Sequence, residues 1–273
     1  DESGANAPAL TSNMIPVYYD STSNVWKKAD ENNSNKSNQW YDYDNKMWAN
    51  AVTVTSTNRD TYLKASAGTT IPMSDINTMW VWIPRYTYTY LNTNTPQSIN
   101  IKFEEGTNSS GTIKCTDAVT GTSSTSETCT DTTNGSLKAG TSTYTHPAFT
   151  FGDKELTGIW VGKFEISSGQ IIKPNVTSLR SQTVNQLYTG IYNMRNSGNA
   201  FGFSTSDETH MIKNMEWGAV AYLSHSKYGI NKEVAINSAN TYTTGCGPQS
   251  EGSTSSGATC NGYTTALGQS AST

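Results

Sequence analysis

Two hydrophobic periodicities run through this chain, and long polar stretches separate them. Residues 76–92, INTMWVWIPRYTYTYLN, alternate: Trp80, Trp82, Tyr86, Tyr88 and Tyr90 share one face, and Met79, Val81, Ile83, Thr87 and Thr89 share the other. Period two is the signature of a strand. Large apolar residues on both faces near Trp80 predict burial on both sides there, with exposure increasing toward Tyr90. Pro84 has no N–H to give to a ladder, so it predicts an edge position, a bulge or a bend. In AFTFGDKELTGIWVGKFEISSG, residues 148–169, Ile159, Val161 and Phe164 suit a core strand.

The helical period occurs twice. Across residues 177–198, Leu179, Val184, Leu187, Ile191 and Met194 keep roughly helical spacing, and Gly198 is placed to end the helix. HMIKNMEWGAVAYLSHSKYG, residues 210–229, is the strongest amphipathic stretch. Here Trp217, Val220, Ala221 and Ser224 fall on one face. Small residues beside a tryptophan predict close packing against a sheet, a structural rather than catalytic helix.

Residues 13–55 contain an internal echo in which Tyr, Asp, a turn and Trp follow one another. The first copy has Tyr18, Asp20 and Trp26, and the second has Tyr43, Asp44 and Trp48. Turn residues flanked by aromatics predict two β-hairpins, stabilised by cross-strand aromatic pairs. We therefore expect a small hairpin module at 1–60 and a larger domain at 61–273. Within the latter, residues 105–145 and 245–273 are rich in Thr, Ser and Gly with almost no large apolar residue. That composition buries too little area to offset ordering entropy, so the first stretch reads as a surface insertion and the second as a polar tail.

Composition narrows the class. Hydrophobic residues are only 34%, yet 7 Trp and 15 Tyr supply large buried areas, so the expected core is aromatic. Charged residues are 15% and the net charge is -4, too few clustered cations to hold nucleic acid or an anionic membrane surface. No apolar run is long enough to span a bilayer, so no membrane insertion is expected from this segment. The chain starts at Asp1 without an initiator Met, as expected of a processed form or a fragment. Four cysteines form two local pairs, Cys115 with Cys129 and Cys246 with Cys260, at the same interval. They read as two disulfides closing polar loops, each contributing about 3 kcal/mol through the unfolded state, with free thiols as the alternative. Disulfides imply an oxidising, extracellular setting.

Candidate chemistry is sparse. No Ser-His-Asp motif, phosphate loop or EF-hand loop is present. His146, His210 and His225 do not form a metal-ligand pattern, so we expect structural or surface histidines, with no catalytic residue, metal or cofactor. The acidic stretches DENNSN (30–35) and DYDN (42–45) offer oxygen ligands for calcium but read first as a solvated loop and a turn. Glu104 and Glu105, being adjacent, point apart in a strand and are a poor acid–base pair. The candidate contact surface is the tyrosine end of the alternating strand, Tyr86, Tyr88 and Tyr90, whose rings suit stacking on a sugar or a protein partner.

Three segments in order resemble one family. MWVWIPRYTYTY (79–90) is similar to the Met-Val-x-Ile-Pro strand of the formylglycine-generating-enzyme (sulfatase-modifying factor) superfamily, a variant of the C-type-lectin fold. GIWVGKFEIS (158–167) resembles its next strand. HMIKNMEWGAVAYLS (210–224) resembles its Val-Ser-Trp-x-x-Ala-x-Ala-Tyr helix, with Met215, Glu216 and Trp217 at the Val-Ser-Trp positions and Ala221 and Tyr222 at the Ala-Tyr pair. The resemblance implies a β-rich α+β scaffold of C-type-lectin-like type with long irregular loops, here preceded by the hairpin module. The family's reactive copper-binding cysteine pair would fall at Cys246 and Cys260, which sit in low-complexity sequence without a neighbouring base. The family's closing Gly-x-x-Asp-Met-x-Gly-x-x-Trp-Glu segment has no counterpart before GQSAST at the end, so truncation, cleavage or completion by a partner strand is expected there.

These features lead to a non-enzymatic extracellular, cell-surface protein for adhesion, ligand display or assembly, taking a glycan or protein ligand. A subunit of an extracellular filament or pilus, completed by an identical neighbour, is the second expectation. A copper-dependent oxidoreductase of the formylglycine-generating kind is the third.

Overall fold

The computed structural model describes residues 1–89, 98–108, 113–117, 127–131 and 143–232. In chain order its strands are β1 (Ile15–Asp20), β2 (Val25–Lys28), β3 (Asn50–Val54), β4 (Ile76–Pro84), β5 (Tyr86–Thr89), β6 (Ile101–Phe103), β7 (Ile113–Asp117), β8 (Glu127–Asp131), β9 (Thr143–Thr145), β10 (Thr150–Phe151), β11 (Lys154–Glu155) and β12 (Gly158–Gly162). The helices are α1 (Arg59–Lys64), α2 (Val184–Tyr192) and α3 (Asn214–His225). Every strand pair is antiparallel, and the class is α+β with strands in the majority.

The principal sheet has five strands in the order β12-β4-β3-β1-β2. The first expected hairpin is present as β1 and β2. Asp20 makes its turn by accepting the Thr22 N–H at 3.0 Å and the Lys27 ammonium at 2.6 Å. Tyr19, not Tyr18, meets Trp26 across the strands, with ring centroids 5.3 Å apart. The second copy is reduced to a single rung, Asp42 against Met47. The Asp42 carboxylate takes the Asn45 N–H and amide, which closes the turn at once. Tyr43 then enters the core, with its ring 5.2 Å from Trp48 and 5.4 Å from Phe103.

The boundary expected at residue 60 runs through this sheet. β3 pairs with β1 on one side and β4 on the other, so residues 1–60 are not a separate hairpin module. The reason is the apolar alternation of β3: all five of its residues are buried, a central-strand pattern that needs a neighbour on each edge.

β4 lies between β3 and β12 and has buried residues on both faces, but Trp80 and Val81, where burial on both sides is expected, are only half-buried. Pro84 ends it. After Arg85 the chain enters a second sheet of three strands, β6-β5-β9, so the proline marks a bend where one strand leaves its sheet for another. At that corner Gly158 faces Pro84, and a β-carbon on it would fall 2.4 Å from the Trp82 ring, which leaves glycine as the residue that fits. Ile159, Val161 and Phe164 are half-buried, because β12 lies at the sheet's edge.

Residues 105–145 are not all loop. β7 and β8 form a hairpin whose register sets Cys115 opposite Cys129. Its strands, IKCTD and ETCTD, alternate β-branched with charged residues, a strand pattern despite low hydrophobicity. The insertion also ends inside the core, since Tyr144 and Thr145 of β9 are buried. Residues 245–273, with Cys246 and Cys260, lie outside the described residues.

Among the described residues one charge is wholly buried. The Arg85 guanidinium sits where the two sheets meet, its Nε 2.9 Å from Glu104 Oε2 and its Nη1 2.6 Å from Glu155 Oε2. Thr145 donates to Glu104 at 2.9 Å and Thr150 to Glu155 at 2.8 Å, so the carboxylates keep further partners. Glu104 is thus a structural counter-ion, and only the pairing makes the burial of Arg85 tolerable.

The segment before β1 is a strap without regular structure. The Asn6 amide nitrogen reaches the carbonyls of Glu104, Gly106 and Thr157 at 2.9, 3.0 and 3.0 Å, and its oxygen accepts the Gly106 N–H at 2.7 Å. The Trp82 and Trp160 indoles donate to the strap's carbonyls at Asn6 and Ala9, at 3.2 and 2.7 Å.

Candidate functional site

α3 begins with the N3 half of a capping box, Glu216 reaching back to the N-cap backbone while the Lys213 side chain makes no cap bond. One Glu216 carboxylate oxygen accepts the Lys213 N–H at 2.7 Å and the other is 2.8 Å from His210 Nε2. Burial alone would raise the Glu216 pKa, but the hydrogen bonds with His210 and from the Lys213 N–H, with electrostatic attraction to His210 and Lys213, bring it below the usual carboxylate range. Anchoring Glu216 on the inside fixes the rotation of the helix. Its buried residues are Glu216, Ala219 and Leu223.

That rotation corrects the expected packing face. Trp217 is 65% exposed, one position out of register with the buried row. Val220 packs only partly against the core, and Ala221 is half-buried. On the inner side Gly218 brings the helix backbone over His146, and the Tyr86 hydroxyl donates to the Ala219 carbonyl at 2.8 Å. α3 does hold the fold together, but through different residues.

The tyrosines expected at the surface are inside. Tyr86 is fully buried and Tyr88 nearly so, at 8% exposure, while Tyr90 lies outside the described residues. β5 is the middle strand of its sheet and α3 covers it, so its rings pack rather than bind. Burial pushes the Tyr86 hydroxyl pKa well above the usual value, and the hydroxyl stays protonated as a donor. His146 completes the cluster. Its ring lies 5.4 Å from Tyr86, 5.5 Å from Tyr88 and 5.3 Å from Tyr222, and its Nδ1 accepts the Ala148 N–H at 3.2 Å. Burial lowers its pKa to about 4, which keeps the imidazole neutral at physiological pH.

His146 and His210 therefore serve in packing and capping. Among the described residues, Asp1, Asp42 and Asp44 form a group with ligand atoms within 4.8 Å of one another, largely exposed at the one-rung turn. In the other acidic stretch, Asp30 is taken up by the N–H groups of Asn32, Ser34 and Asn35, and these bonds, with the Ser34 hydroxyl first, lower its pKa.

The exposed apolar surface lies elsewhere. Among the described residues, six of the eight large hydrophobics that stay exposed fall between residues 184 and 217: Val184, Tyr188, Tyr192, Ile212, Met215 and Trp217. α2 starts at Val184, with Thr183 as its N-cap paired to Gln186, later than the spacing of Leu179 predicts, and none of its residues is buried. Val184, expected in the core, is 73% exposed. Tyr188 and Tyr192 stack with centroids 6.1 Å apart, and the Arg195 guanidinium lies 4.4 Å over Tyr192. Thr209 donates to the Ile191 carbonyl at 2.9 Å, and Arg195 to that of Asp207 at 3.0 Å. These bonds hold the chain leading to Ile212 and Met215 against the end of α2. The signal that could have found this surface is the breadth of the apolar arc: Val184, Leu187, Tyr188, Ile191 and Tyr192 cover more of a helix than one contact can bury.

No family model, no curated protein and no solved structure matches this chain. No helix among the described residues is long and apolar enough to cross a membrane.

Proposed function

We propose that this protein is an extracellular, cell-surface, non-enzymatic module for adhesion, ligand display or assembly, on a C-type-lectin-like scaffold. The observation that carries the reading is the concentration of exposed apolar side chains between residues 184 and 217: Val184, Tyr188, Tyr192, Ile212, Met215 and Trp217. Exposed Tyr and Trp, with Arg195 over Tyr192, give contact area at little side-chain entropy cost, the composition of a binding surface. Support for the scaffold comes from the placement of the three family-like segments: two fall on β4 and β12, which are adjacent in one sheet, and the third on α3. The contact surface moves from β5 to α2 and the start of α3. Its ligand is a glycan or a protein.

The test is binding on arrays of glycans and extracellular proteins, comparing the wild type with a Tyr188→Ala/Trp217→Ala double variant. The wild type is expected to retain at least one ligand, and the double variant to bind it at least tenfold more weakly with unchanged melting temperature. Absence of any ligand, or equal retention by the variant, contradicts the reading.

A further inference from the structure

The strap at residues 3–10 is bound to the rest of the molecule as a peptide is bound in a cleft. Among the described residues it makes no backbone-to-backbone hydrogen bond. Its hold is the Asn6 side chain, seated among the backbone groups of Glu104, Gly106 and Thr157, together with the two indole donors from Trp82 and Trp160. Ala5 and Leu10, on either side of these anchors, press on the aromatic cluster. A carboxamide held through both its oxygen and its nitrogen is read specifically, because a site built for those bonds loses them with any other side chain.

Every receiving group belongs to another part of the chain, and the strap joins β1 through a tight turn. Met14 N–H bonds the Thr11 carbonyl at 3.2 Å, and Asn13 holds φ at +63°. Short hinges with a left-handed residue favour exchange between copies, since opening the turn relieves it while all contacts re-form.

We infer that the Asn6 cleft is an acceptor for the residue 3–10 segment of a second copy, so that neighbouring chains can exchange straps. In dilute solution the chain's own strap wins, because tethering gives it an effective concentration of order millimolar. Crowding of copies on a surface or in an assembly removes that advantage. The inference does not rest on the α2 contact face, and a chain whose strap never exchanges can still bind a ligand there.

The test uses the full chain carrying Asn6→Ala and a fluorescent peptide of residues 1–10, DESGANAPAL. The variant is expected to bind the peptide saturably, the wild type at least tenfold more weakly because its cleft is filled, and the peptide with Asn6→Ala not at all. Adding Trp160→Phe to the variant chain leaves an aromatic ring in place but removes the indole N–H donor, and is expected to weaken peptide binding further. Failure of the Asn6→Ala chain to bind, or equal binding of the two peptides, overturns the inference. A second measurement needs no variant. In concentrated mixtures of isotope-labelled and unlabelled wild type, cross-links from residues 1–13 to residues 102–108 or 157–163 are expected in mixed-isotope pairs. Cross-links found exclusively within one isotope label overturn exchange.

Discussion

Two residues concentrate the energetics. Arg85 is the single charge between Asp75 and Lys102, and it is buried against two carboxylates. Replacing it with Met leaves Glu104 and Glu155 without their cation, and the expected loss is about 3–5 kcal/mol in chemical unfolding. Arg85→Lys recovers only part of it, since an ammonium cannot bridge two acids in a fork. His146 predicts acid lability. Its folded pKa is about 4 and its unfolded value is near 6.5, so as pH falls the unfolded chain takes the proton first. Stability is intact above about 6.5 and declines down to about 4, by roughly 3 kcal/mol in total. Unfolding free energy measured against pH is expected to show this slope in the wild type and to lose it in His146→Phe. The pairing of Arg85 was only half legible. A lone charge in an apolar run announces a buried partner, but Glu155 is 70 residues away and no local pattern points to it.

At the scale of elements, the alternation of β4, the break at Pro84 and the β1–β2 hairpin could be read directly, because period two and turn chemistry are local properties. The rotation of α3 could not. Met215, Trp217, Ala219, Val220, Ala221, Tyr222 and Leu223 put apolar groups all around the helix, and the choice of face falls to Glu216, whose partners are His210 and the Lys213 N–H. Two substitutions separate the alternatives. Leu223→Ala is expected to cost about 2–5 kcal/mol by opening a cavity. Trp217→Ala is expected to change stability by no more than about 0.5 kcal/mol, as at an exposed site. The β7–β8 hairpin carries its own prediction. Opposed residues on antiparallel strands have Cα atoms about 4.5–5.5 Å apart, within disulfide reach, so mass measurement of non-reduced peptides is expected to find Cys115 joined to Cys129.

For the whole molecule, the continuity of the five-stranded sheet across residue 60 decides how the chain can be divided. A fragment of residues 61–273 loses β1, β2 and β3 from the flank of β4 and is expected to show no cooperative unfolding transition, whereas the full chain does. That continuity was hidden in the sequence because strand order depends on pairings distant along the chain, and the polar stretch 30–39 imitates a linker. Whole-molecule folding also reversed the assignment of the aromatics. Tyr86 and Tyr88 were drawn inside by α3, while α2, with no element packed over its outer side among the described residues, was left with its tyrosines in solvent. Sequence pattern counts aromatic residues but does not say which of several amphipathic faces the core has room to bury. Oxidative footprinting of tyrosine and tryptophan, with and without a ligand captured on the arrays, tests the relocated surface most directly. Tyr188, Tyr192 and Trp217 are expected to react in the free protein and to be protected by ligand, with Tyr86 and Tyr88 unreactive in both states; ligand-dependent protection at Tyr86 or Tyr88, with Tyr188 and Trp217 unchanged, would contradict the account.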